Sequence, residues 1–221
     1  MWARRFLLAF LSQILLAAFL VACSYVSLAS ELKPVLDIAS EGSAHVPLAD
    51  AVAGWQFHLD RPLTIAAVGL WDEGSQPLEI AHQVGLWKAD QTFLFSVFVD
   101  NSSLPVASAS ADGQWLFSEI TPLTLLPGDY VMAAVWGDSI IGADPFRFGA
   151  VAVAPLVAYT GPCDAFLLPS PDLVFPDCHS GILDAAGYFG PNLAVVVPEP
   201  NCLAILGTAV VGLFAVVRRK I

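Results

Sequence analysis

Trp55-Gln56-Phe57-His58-Leu59-Asp60-Arg61-Pro62-Leu63-Thr64-Ile65-Ala66-Ala67-Val68-Gly69-Leu70-Trp71-Asp72-Glu73-Gly74-Ser75 is the stretch that decides the fold class. In its first part Trp55, Phe57 and Leu59 alternate with Gln56, His58 and Asp60, a period of two that buries one face of a strand and wets the other. Leu63 to Trp71 is apolar on both faces, as the central strand of a sandwich should be. It stops at Asp72-Glu73-Gly74-Ser75, a run of turn formers.

Working outward, the same grammar repeats. Ile80 to Trp87 leads into a Lys88-Ala89-Asp90-Gln91 turn and Thr92 to Val99. After Asp100-Asn101-Ser102-Ser103 come an edge segment near Val106, an Asp112-Gly113 turn, Gln114 to Ile120, and Pro127-Gly128-Asp129 before Tyr130 to Trp136. No amphipathic helix of length interrupts this part. The expected fold is all-β, an antiparallel β-sandwich of roughly seven to nine strands over residues 31–154.

Val68-Gly69-Leu70-Trp71 recurs letter for letter as Val84-Gly85-Leu86-Trp87, and Gly54-Trp55 lies one such interval before Trp71. One reading is adjacent strands with equivalent layers, where a glycine lets a neighbouring indole pack over it. The other is a row of exposed rings, Trp55, Trp71 and Trp87 with Trp115 and Trp136 as further members, that stack on sugars.

Residues 155–197 change character, with Pro155, Pro162, Pro169, Pro171, Pro176 and Pro191. Tyr159 to about Asp184 reads as an irregular loop, followed near Leu193 to Val197 by a last strand or a stalk. Cys163 and Cys178 are the only cysteines between the apolar ends of the chain, and in an oxidising compartment they are expected to pair. Closing that loop is worth about 3 kcal/mol by loop entropy. Only His179 lies nearby as a further zinc ligand and there is no second cysteine pair, which is short of the four ligands of a structural zinc site.

The chain has 221 residues and a formal charge of −11. From Glu31 to Val197, nineteen acidic residues face only Lys33, Arg61, Lys88 and Arg147, an excess of fifteen negative charges. Such a surface repels nucleic acid and anionic lipid, and its simplest consequence is solubility.

Both ends are apolar. Met1-Trp2-Ala3-Arg4-Arg5 precedes the apolar run Phe6 to Ala22, the form of a secretory signal peptide over residues 1–30. Ser27-Leu28-Ala29 fits ordinary cleavage, and Leu20-Val21-Ala22-Cys23 fits a lipoprotein box. At the other end, Val197-Pro198-Glu199-Pro200 precedes the apolar run Cys202 to Val217 and then Arg218-Arg219-Lys220. Prolines keep the first part extended. Sixteen apolar or small residues make a helix of roughly 24 Å, and the basic cluster prefers the cytoplasmic side. With cations inside at both ends, the acidic middle lies outside.

Residues 198–221 resemble the PEP-CTERM sorting signal: a Pro-Glu-Pro box at Pro198, Glu199 and Pro200, a hydrophobic helix, and an arginine-rich tail with Arg218, Arg219 and Lys220. The resemblance implies recognition by an exosortase, a membrane-embedded cysteine peptidase, with the box as substrate. It also implies a precursor anchored in the inner membrane and then a protein at the cell surface or beyond. Gly54-Trp55-Gln56-Phe57, Gly69-Leu70-Trp71-Asp72 and His82-Gln83-Val84-Gly85-Leu86-Trp87 resemble the β-rich domain of unknown function that often precedes such a signal. That resemblance covers about half the chain and brings no activity with it.

Catalytic patterns are thin. Gly137-Asp138-Ser139-Ile140 is similar to the nucleophile block of GDSL-type esterases, but no Asp stands three residues before any histidine, so it reads as a polar turn. His45, His58, His82 and His179 are dispersed, and His82 shares parity with Val84 and Leu86, which makes it half-buried. Asp72-Glu73, Asp138 and Asp144 offer carboxylates for calcium without an Asp-x-Asp-x-Asp-Gly pattern. Asn101-Ser102-Ser103 matches a glycosylation sequon. No cofactor is expected. The expected role is structural or adhesive, in the envelope or extracellular matrix, with carbohydrate binding to exopolysaccharide through exposed tryptophans as the alternative.

Overall fold

A computed structural model describes residues 31–38, 43–45, 51–136, 144–148, 152–154, 156–165, 172–178 and 188–197. Every regular element among them is a strand: β1 (Glu31–Pro34), β2 (Asp37–Ile38), β3 (Ser43–His45), β4 (Ala51–Leu59), β5 (Leu63–Glu73), β6 (His82–Lys88), β7 (Phe93–Val99), β8 (Leu104–Ala107), β9 (Gly113–Leu125), β10 (Gly128–Trp136), β11 (Phe146–Phe148), β12 (Ala152–Val153), β13 (Ala158–Ala165), β14 (Asp177–Cys178), β15 (Tyr188–Phe189) and β16 (Pro191–Val197). The signal helix expected over 1–30, the sorting box with its membrane helix over 198–221, and Gly137 to Ile140 lie outside the described residues.

Two large antiparallel sheets carry the fold. One has the order β1-β16-β5-β9-β8 and the other β14-β13-β4-β10-β6-β7. Trp55, Phe57 and Leu59 of β4 and Tyr130, Met132, Ala134 and Trp136 of β10 join Ile65, Leu70, Trp71, Trp115 and Phe117 from the first sheet in one apolar core. A sandwich-like all-β architecture is the result. The period-two reading of β4 holds, with Gln56 and His58 half-buried on the other face. β5 sits third of five strands and is buried from Ile65 through Asp72, which its two-sided apolar run requires.

Three expectations change. First, the twin Val-Gly-Leu-Trp segments are not neighbours: β5 and β6 belong to different sheets. Leu86 enters the main core while Trp87 points into a second cluster with Val52, Ala133 and Val135. Gly69 lies under Phe117, whereas Gly85 lies under Leu173 and its own strand's Trp87.

Second, the expected loop from Tyr159 begins as strand β13, hydrogen-bonded along β4 from Ala158↔His58 to Ala165↔Val52. Prolines argue against a central strand, but β14 pairs only with Cys163 and Asp164, so Pro162 has a partner strand on one side alone. A register shift between Tyr159 and Gly161 absorbs the irregularity.

Third, the stalk alternative near Leu193 gives way to β16, which pairs with β5 and fully buries Asn192, Leu193 and Ala194. The division at 154/155 therefore does not separate a sandwich from a tail. Leu32–Val196 forms one compact unit.

Candidate functional site

The tryptophans come first, because their exposure decides the sugar-stacking alternative. Trp55 is 0%, Trp71 1%, Trp87 4%, Trp115 0% and Trp136 2% exposed. Four of the five N–H groups are spent internally: Trp55 donates to the Pro191 carbonyl at 2.8 Å, Trp71 to Glu73 at 2.7 Å, Trp115 to Asp37 at 3.0 Å and Trp136 to the Asp144 carbonyl at 2.7 Å. Trp71 meets Trp115 edge to face at 5.1 Å. These rings are core, and the platform of exposed Trp55, Trp71 and Trp87 is corrected accordingly. Large aromatics alternating with small apolar residues fill a sandwich because each indole buries a large area and needs one partner for its N–H.

Cys163 and Cys178 form a disulfide between paired strands β13 and β14. It ties down the segment before it, where Leu173, Val174 and Phe175 pack over the second cluster and Phe175 meets Trp87 edge to face at 6.0 Å. Trp87 is thus covered by a strap that the bridge holds.

Polar chemistry gathers at buried positions that sequence reading left scattered. His82 is fully buried: Nδ1 lies 2.9 Å from the Val135 carbonyl and Nε2 2.9 Å from Asp144 Oδ2. A carbonyl oxygen and a carboxylate oxygen are both acceptors, so each ring nitrogen faces one. Asp144 also accepts the backbone N–H of Glu79 and Ile80. Burial pushes the Asp144 carboxyl up, but the His82 bond and those two N–H groups outweigh it and hold the pKa below the ordinary value.

A second centre joins Glu73, Arg147 and Asp112. The Arg147 guanidinium grips Glu73 through Nε at 2.7 Å and through Nη2, and reaches Asp112 at 3.2 Å. Asp72, 3% exposed, accepts from Gln114 at 2.7 Å, and burial raises its pKa. Asp37 collects Ser108, the Ala109 N–H and Trp115. The carboxylates considered for calcium, Asp72, Glu73 and Asp144, point to separate protein partners. Among the described residues no three His, Cys, Asp or Glu converge on a metal-sized space.

An open cleft of about 450 Å³ lies where the β6–β7 and β9–β10 turns meet. Lys88, Asp90 and Asp129 line it together with Leu94, Leu123 and Leu125. Beside it, His58 Nδ1 lies 2.7 Å from Asp129, a bond that raises the His58 pKa. Among the described residues, the side-chain partners of His58 are Asp129 and Asp60, and those of His82 are the Val135 carbonyl and Asp144. Val197 is described and ends β16 as an exposed residue, while Pro198, Glu199, Pro200, Arg218, Arg219 and Lys220 lie beyond the described residues. No family model, no characterised protein and no solved structure matches the chain.

Proposed function

We propose that this chain is an exported envelope or extracellular-matrix protein, structural or adhesive and without catalysis, delivered by a signal peptide. In this reading its C-terminal helix anchors it until an exosortase acts at Pro198-Glu199-Pro200. The observation that carries the reading is the order of segments in the sequence: basic and apolar at the start, acidic in the middle, then the proline box, apolar run and basic tail. Two features of the folded part support it. A disulfide suits an oxidising compartment, and the acidic excess between residues 31 and 197 suits a solvated exported domain.

Mass spectrometry of the protein recovered from cells with and without an active exosortase tests this. A C-terminus trimmed near Glu199 only in the active background is expected. Surface protein with its apolar C-terminal segment intact in both backgrounds would falsify the processing step. Glu199→Ala should impair sorting while the melting temperature of the chain stays unchanged.

A further inference from the structure

Among the described residues three that are not glycine take a positive φ: Ser75 at 54°, Gln91 at 70° and Asp144 at 58°. That region is sterically costly for any residue with a Cβ. Ser75 and Gln91 lie exposed in the turns after β5 and β6, where such a conformation helps to reverse the chain. Asp144 differs from both. It is half-buried and precedes Pro145, whose ring pushes the residue before it toward extended backbone. Strain of this kind persists only where the surroundings impose it, and it gathers at functional positions.

The surroundings hold both reactive ends of the residue. Trp136, 2% exposed, donates its Nε1–H to the Asp144 carbonyl oxygen at 2.7 Å. Its ring is fixed by His82 at 5.8 Å and by Phe146 edge to face at 5.2 Å. The carboxyl is anchored through Oδ2, which lies 2.9 Å from His82 Nε2 and accepts the N–H of Glu79 at 3.0 Å and of Ile80 at 3.2 Å. Oδ1 has only a share of the Glu79 N–H, at 3.0 Å, so it keeps lone-pair capacity. Two carbons, Cα and Cβ, separate this carboxylate from the carbonyl of the same residue, and attack of one on the other closes a five-membered ring. Past the bond, Arg147 is gripped by Glu73, so the chain is fastened on that side as well.

We propose that the Asp144–Pro145 peptide bond is a self-cleavage site, opened by the Asp144 carboxylate. Oδ1 bonds to the Asp144 carbonyl carbon, and the charge that gathers on the carbonyl oxygen is met by the Trp136 N–H. The C–N bond then breaks. Its electron pair stays on the Pro145 nitrogen, which takes a proton from water and leaves as a secondary amine. Asp144 is left as a cyclic anhydride, and the hydroxide from that water opens it to two carboxyl groups. One water is consumed and nothing is oxidised or reduced. Proline suits the leaving position, because its nitrogen carries no N–H for the sheet to hold and its departure relieves the crowding on Asp144. The event is single and internal, so it adds no turnover of an outside substrate to the role proposed above, and it does not depend on sorting. The pieces stay assembled, since β13 remains on β4 and β16 on β5 across the cut.

The test follows the full-length protein in detergent at neutral pH, folded and in urea, by intact mass and N-terminal sequencing. One piece ending at Asp144 and one beginning at Pro145 are expected. They should separate in denaturing electrophoresis without reductant, because Cys163 and Cys178 both lie on the C-terminal side. The folded chain should cut about tenfold or more faster than the unfolded one, since positioning is what accelerates an intramolecular step. Pro145→Ala and Asp144→Asn are each expected to leave the chain whole with the circular dichroism of the parent. Trp136→Phe should slow the cut about a hundredfold, as loss of an oxyanion donor does. A folded chain that stays whole, a break at another bond alone, equal rates folded and unfolded, or a rate unmoved by any of these substitutions would overturn the proposal.

Discussion

His82 and Asp144, sixty-two residues apart in sequence, meet at 2.9 Å with 0% and 7% of their side chains exposed. The bond fastens the chain after β10 to β6, and the Trp136 N–H to the Asp144 carbonyl reinforces it at 2.7 Å. Replacing Asp144 by Ala leaves the His82 ring and the Glu79 and Ile80 N–H groups without an acceptor, at about 3 kcal/mol. Urea titration at neutral pH is the measurement. Because the folded Asp144 pKa lies below the ordinary 3.8, its contribution is present above that value and is lost as pH falls through the folded pKa. Asp144→Asn should flatten the stability profile in that acid window.

Asp72 behaves in the opposite sense. Burial raises its pKa against the Gln114 bond, so its favourable contribution is complete below 3.8 and is lost as pH rises through the folded value. Asp72→Asn removes that loss and keeps an acceptor for Gln114. The variant should match or exceed the parent in stability at pH 7, with the difference shrinking as the solution is acidified.

Cys178→Ser opens a bridge spanning a sequence separation of 15 and should lower stability by about 3 kcal/mol. Since that bridge holds Phe175 and Leu173 over Trp87, tryptophan emission should shift to the red before the main unfolding transition. An unshifted spectrum would mean that the strap packs without the bridge.

Gly54→Ala is expected to be among the most damaging small changes. A Cβ there would lie 2.0 Å from the Met132 carbonyl oxygen and 2.6 Å from the Ala133 Cα, both backbone of the neighbouring β10. Forcing the strands apart costs about 2–3 kcal/mol or more, readable as a fall in the denaturation midpoint.

The Tyr159 hydroxyl is buried without a hydrogen-bond partner, and burial pushes its pKa upward. Removing it in Tyr159→Phe discards an unmet desolvation cost while keeping the ring against Trp55 and Phe189. Stability should rise by about 0–1 kcal/mol, in contrast to the loss expected for most buried substitutions.

Strand identity was legible locally, because alternation in Trp55 to Asp60 and the two-sided apolar run of Leu63 to Trp71 depend only on which residues a strand must bury. The weak segment near Val106 was readable as an edge for the same reason, and β8 is one. The cysteine pair needed only elimination. Sheet membership was not legible: Val68 to Trp71 and Val84 to Trp87 share four letters yet sit in opposite sheets with different tryptophan faces. Nor was β13, whose prolines read as loop until β4 supplied a hydrogen-bonding partner on one side.

By itself, then, the sequence determined the all-β class, the main strands and their turns, the acidic balance and the segment order at the ends. These follow from local periodicity and charge. Only the tertiary structure decided that every one of the five core indoles is buried, that His82 finds Asp144, and that β7 comes last in its sheet among the described strands. Those are long-range pairings, and their energies depend on which distant strand lies alongside rather than on any property of the segment alone.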